Sequence, residues 1–165
     1  MRRQAGFTLI ELLIVVALIL IIAAITVPAF VDSKIRADET SAVASIRAIN
    51  QTEIAYEGAY GGFADSLANL GGAEPCTKSA ATACLLDQSL AGGVKSGYHF
   101  AAVGGNPANG LNTSYVVGAA PLVFDRTGKR LFCSTEKNVI RVDLNAGGSM
   151  VPPDGPACMG FAALQ

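Results

Sequence analysis

Residues 6–12 read Gly6-Phe7-Thr8-Leu9-Ile10-Glu11-Leu12, and they open an apolar run that continues to Val31. Between residues 7 and 31 the only charged side chain is Glu11, while Arg2 and Arg3 stand just ahead of the run. An ionised acid at the centre of a bilayer costs roughly 2.5–3.5 kcal/mol on insertion scales. A chain that keeps Glu11 in such a place needs a partner for it.

Three readings compete for residues 1–31. A cleaved secretory signal has a basic start, a short apolar stretch and a small-x-small cut site. Here the stretch is too long, is interrupted by Glu11 and lacks an A-x-A site. A plain membrane anchor fits the length, since 25 helical residues rise about 37 Å against a hydrocarbon core of ~30 Å. Arg2 and Arg3 would stay cytoplasmic under the positive-inside rule, which sends everything after Asp32 out of the cytoplasm. The plain anchor leaves Glu11 unexplained.

The third reading is a resemblance. The Gly6–Leu12 string behind a short basic leader resembles the processing motif of type IV prepilins and of the pseudopilins of type II secretion. The resemblance covers residues 5–30, and Pro28 falls where many members of that family carry a helix-bending proline. It implies that a membrane-embedded prepilin peptidase removes residues 1–6 by cutting between Gly6 and Phe7, and that Phe7 is then N-methylated. It also implies that Glu11 pairs with the new Phe7 amine of a neighbouring subunit during assembly. Residues i and i+4 share a helix face, so pairing with the Phe7 amine of its own chain stays open. Two charges in a low-dielectric setting gain from pairing, and losing one strands the other.

Beyond the apolar run, residues 32–57 contain no Gly or Pro and continue the helix. Ile35, Ala42, Ile46, Ile49 and Tyr56 form an apolar stripe that should pack on a globular domain, with Lys34, Glu39, Arg47 and Glu53 on the opposite face. Gly58 and then Gly61-Gly62 end the pattern. A helix over residues 7–57 would be about 75 Å long. Pro28 lacks an N–H and crowds the carbonyl one turn back, so it should kink or locally melt the helix near residues 24–25.

The rest reads as a small exported domain. Residues 58–97 are a connecting region with a short helix within 64–70. Residues 98–165 carry an antiparallel meander with strands over 98–103, 114–119, 121–125 and 130–134 and a short strand or flank at 139–142. The stretch 104–112 reads as a loop, 126–129 as a hairpin turn and 147–160 as a carboxy-terminal loop. The expected class is therefore α+β. With the resemblance this becomes the type IV pilin fold: a long amino-terminal helix on a small antiparallel sheet with a disulfide-stapled carboxy-terminal loop.

Four cysteines, Cys76, Cys84, Cys133 and Cys158, occur without a C-x-x-C and with a single histidine, His99, so zinc-site spacing is absent. An even count behind an export-type segment favours disulfides. Three pairings are open, and the local loops Cys76–Cys84 and Cys133–Cys158 are the expected one.

The composition offers little to catalysis or to cofactors. A net charge of −1 gives no global bias toward nucleic acid, and no phosphate loop or nucleophile–base spacing is present. His99 reads as a strand or surface residue. Residues 143–147 hold too few carboxylates for a calcium site, and Asn112-Thr113-Ser114 is a formal glycosylation sequon of low weight. Arg126, Lys129 and Arg130 form a small basic patch, ordinarily a solvated hairpin, though a minor pilin that grips DNA or a surface could use one.

The leading expectation is a non-enzymatic subunit of a homo-oligomeric helical filament. Its partners would be prepilin peptidase and the inner-membrane pilus assembly machinery. It would sit in the inner membrane as a precursor, with its amino terminus cytoplasmic and its domain periplasmic, before joining an extracellular pilus. The alternatives are a secretion pseudopilin, a DNA- or surface-binding minor pilin and a plain single-span membrane protein.

Overall fold

The computed structural model describes residues 7–164. A 52-residue helix, α1 (Leu9–Tyr60), begins the fold. The chain divides into two compact units after Lys34, and α1 runs through both.

In the first unit the large apolar side chains from Phe7 to Val31 are 41–85% exposed. By length and composition this helix can cross a membrane. It is continuous through Pro28 and does not melt at residues 24–25 as the proline led us to expect. Proline removes one ladder bond, and helix cooperativity holds the turns on either side.

In the second unit α1 buries Ile35, Ala42, Ile46, Ile49 and Tyr56, the apolar stripe read from the sequence. Glu39 and Glu53 are buried with them rather than on the opposite face, whereas Lys34 and Arg47 are exposed. The spacing explains the difference. Positions 35, 39, 42, 46, 49, 53 and 56 advance by four and three alternately, so both glutamates lie within the stripe. The helix passes Gly58 and stops after Tyr60, three residues beyond the expected end. Gly61, at φ +84°, closes it by donating its N–H to the Glu57 carbonyl (2.8 Å).

Two one-turn helices follow, α2 (Leu67–Leu70) and α3 (Gln88–Ala91), and they bury Leu67, Leu70 and Leu90. Between them Cys76 is bonded to Cys84. Among the described residues the sheet has six strands: β1 (Val94–Lys95), β2 (Tyr98–Ala108), β3 (Leu111–Pro121), β4 (Leu131–Thr135), β5 (Arg141–Asp143) and β6 (Ala162–Ala163). They lie in sequence order, and every neighbouring pair is antiparallel. Ile46 and Ile49 of α1 share one core with Leu70, Tyr98, Phe100, Val117 and Phe132.

The meander departs from expectation in three places. Residues 104–112 are not a loop. They are the ends of a long β2–β3 hairpin turning at Asn109-Gly110, both at positive φ (51° and 79°), with Ala108 opposite Leu111. The chain between β3 and β4 is a nine-residue loop, 122–130, with no strand over 121–125 beyond the end of β3. The carboxy-terminal stretch is not all loop. Asp154 caps a helix, α4 (Gly155–Gly160), by accepting the Ala157 N–H (2.9 Å), and β6 then pairs with β5. Cys158 of α4 is bonded to Cys133 of β4, and both are fully buried. Before α4, Pro153 passes so close over Gly118 of β3 that a Cβ there would lie 2.5 Å from the Pro153 carbonyl oxygen.

Candidate processing and assembly site

The first turn of α1 is organised by a reciprocal cap. Phe7 and Thr8 precede the helix. The Thr8 hydroxyl oxygen accepts the Glu11 N–H (3.3 Å). In return one Glu11 carboxylate oxygen, Oε2, accepts both the Thr8 N–H (3.0 Å) and the Thr8 hydroxyl (2.7 Å). This is a capping box, which satisfies donors that a helix start otherwise leaves open. The acid also sits at the positive end of the helix dipole.

Glu11 thus has a partner within its own chain that the sequence reading missed, although Thr8-x-x-Glu11 is the signature of such a box. Oε1 takes no part in the box. The Phe7 side chain is 85% exposed. Gly6, the expected cleavage residue, and the leader, residues 1–6, lie outside the described residues. Pro28 lies on the exposed apolar part of the same helix.

The basic patch is largely tied up. Arg130 reaches Glu39 of α1 with Nη2 (2.7 Å) and Nε (2.9 Å) on Oε2. The N–H groups of Lys129 (3.0 Å) and Arg130 (3.2 Å) donate to Oε1 of the same carboxylate. Burial pushes the Glu39 carboxyl up, but the Arg130 guanidinium and these two amides outweigh it and hold the acid below its ordinary value. Arg130 also lies over the Phe132 ring, 5.3 Å from its centroid. Lys129 pairs with Asp125 (3.0 Å), and Arg126 is exposed.

The other candidates have structural partners. Asn112, the sequon residue, donates through Nδ2 to the Phe63 carbonyl (3.2 Å) and to Asp65 (2.7 Å). Asn145 closes the 143–149 turn on itself through Asp143 and Ser149. Among the described residues no group of three His, Cys, Asp or Glu side chains stands together as a metal site. His99 is exposed on β2.

A family model for the prokaryotic N-terminal methylation motif matches residues 1–27. Two fimbrial proteins of Pseudomonas aeruginosa are each 51% identical to the chain over 49 residues, which is 30% of this chain and 32% of theirs. The type II secretion system core protein G of Aeromonas hydrophila is 42% identical over 48 residues, 29% of this chain and 34% of that one. The chain thus spans about a third of the length of the curated relatives it matches. No solved structure matches it significantly. Over residues 1–27 the chain is similar to the methylation-motif family, and over 48–49 residues, about a third of its length or less, it is similar to fimbrial proteins and to a type II secretion core protein.

Proposed function

We infer that the chain is a subunit of a type IV pilus, made as a membrane prepilin and polymerised through its amino-terminal helix. The observation that carries this reading is the exposed apolar helix over residues 9–31 with a single carboxylate in its first turn. An all-round apolar helix is stable in lipid, and in a filament neighbouring helices replace that lipid. Cutting between Gly6 and Phe7 removes Arg2 and Arg3 and creates an amine four residues from Glu11. The Oε1 atom left over by the Thr8 box would take the Phe7 amine of a neighbour and set the axial register of the fibre. Before assembly the precursor spans the inner membrane with its domain in the periplasm, where the two disulfides form. The secretion pseudopilus is the second reading, favoured by the 42% identity to the core protein G.

Mass spectrometry of sheared surface filaments separates these readings. A pilus subunit is abundant in the sheared fraction and yields an N-methylated peptide starting at Phe7, with Cys76–Cys84 and Cys133–Cys158 linked. A chain retained in the envelope, whose deletion stops export of secreted enzymes and leaves surface fibres intact, refutes the pilus reading.

A further inference from the structure

Glu53 is the buried acid that the assembly reading leaves unused. It is fully buried on α1, and its environment is the opposite of that of Glu39. One carboxylate oxygen, Oε2, accepts the Ala64 N–H (3.0 Å), and the other, Oε1, is buried among the described residues without a hydrogen-bond partner. The titratable groups that interact with Glu53, or with the phenols Tyr56 and Tyr115 that interact with it, come from α1, the strip after it, β3 and the turn after β4. They are Tyr56, Glu57 and Tyr60 from α1, Asp65 from the segment after it, Tyr115 from β3 and Glu136 from the turn after β4. All are acids or phenols, so none of them compensates a buried negative charge.

Ala64 itself sits in a strip of chain, residues 61–66, that is sewn to the sheet. The Phe63 N–H donates to the Asn112 carbonyl (3.0 Å), and the Gly104 N–H donates to the Asp65 carbonyl (3.3 Å). The Glu53–Ala64 bond joins the last turns of α1 to that strip. A neutral carboxyl in such a place costs little beyond its unfilled hydrogen bond, whereas a carboxylate carries an unpaired charge into the interior.

We propose that Glu53 is a proton-operated latch: protonated, it holds the 61–66 strip against α1, and on ionising it loosens that strip while the rest of the sheet stays closed. Burial pushes the Glu53 carboxyl up to about 7 against the opposing pull of the Ala64 N–H, which favours the carboxylate, and this puts the change within the range an exported domain meets. The folded state holds the proton more tightly than the unfolded chain. The latch is therefore strongest below the ordinary carboxyl value of 4.5, weakens as pH rises toward about 7, and does not change further above it.

The test is backbone hydrogen exchange of the full chain in detergent micelles from pH 5 to pH 9, corrected for the intrinsic rate at each pH. In the wild type, protection of the Ala64 amide should fall by about tenfold or more between pH 5.5 and pH 8.5, with the amides of β3 and β4 unchanged. Each unit of pKa shift corresponds to a factor of ten in the opening equilibrium. In Glu53→Gln, which keeps the acceptor and cannot ionise, Ala64 protection should be flat. The same profile in both proteins overturns the proposal. So does a wild-type Glu53 carboxyl carbon resonance that titrates near 4.5, a measurement that needs no variant to fold.

Discussion

Glu39→Ala is the sharpest test of how α1 is held to the sheet. The substitution removes an acceptor that takes four N–H groups, two from the Arg130 guanidinium and two from the backbone of residues 129 and 130. Each deserted backbone donor costs about 1 kcal/mol, and breaking a buried ion pair costs about 3–5 kcal/mol when the remaining charge stays buried. The Arg130 side chain is 39% exposed and can turn to water, so the expected loss is about 3 kcal/mol, at the lower end. A unit of roughly 130 residues has an unfolding entropy near 0.27 kcal/mol/K, which makes this a fall of about 11 °C in Tm.

The assay is thermal unfolding in detergent at pH 7, followed by near-ultraviolet circular dichroism, with Arg130→Ala and the double variant completing a cycle. A coupling of about 1–2 kcal/mol is expected, because Glu39 keeps its two backbone donors when Arg130 is truncated. The sign of the pH dependence is also set. The folded carboxyl lies below its unfolded value, so its stabilisation is present above pH 4.5 and is lost as pH falls through the folded value. Acid should therefore cost the wild type more than it costs Glu39→Ala. A loss under 1 kcal/mol at pH 7, or strict additivity of the two single variants, would refute the argument that this carboxylate clamps the loop.

Other substitutions probe separate parts of the fold. Cys133→Ser with Cys158→Ser opens a cross-link over 25 residues and should cost about 3–4 kcal/mol in urea unfolding, with β6 and α4 the first to lose exchange protection. Gly118→Ala drives a methyl group into the backbone of Pro153 and should cost about 1–3 kcal/mol by the same measurement; a neutral result would mean the carboxy-terminal segment is not seated on β3. Glu11→Ala should still lose its leader but enter filaments poorly, as judged by the sheared fraction, and normal filaments would remove its role in register. Gly6→Val should accumulate as precursor on a gel, and continued leader removal would place the cut elsewhere.

The long helix and its apolar first half were legible because hydrophobicity over residues 7–31 is a local, unbroken signal. Glu39 and Glu53 were misplaced because residue polarity was weighed above position. Their spacing within the stripe already put them inside, but their partners come from elsewhere, Arg130 lying 91 residues away. The β2–β3 arms were taken for a loop because Gly104, Gly105, Asn106 and Pro107 have poor strand propensity. The Asn109-Gly110 pair between them is nonetheless the strongest short hairpin signal the chain contains. β6 depends on pairing with β5, which no local pattern reveals, whereas α4 carries a local Asp154 cap that was passed over and the Cys133–Cys158 link that was expected. At the candidate site the carboxylate was found at once, but its Thr8 partner was passed over in favour of the amine four residues back.

The two buried glutamates also give the helix a mechanical character. They lie 14 residues apart, about 21 Å along the axis, and each grips a different piece of backbone, the 129–130 loop and the 61–66 strip. An apolar stripe alone can slip by a turn at small cost, since one aliphatic contact replaces another. Two carboxylates cannot, because a slip of 5.4 Å would carry both away from their donors at once. Tension applied along the helix is therefore resisted in shear at two separated pegs before the core is asked to yield.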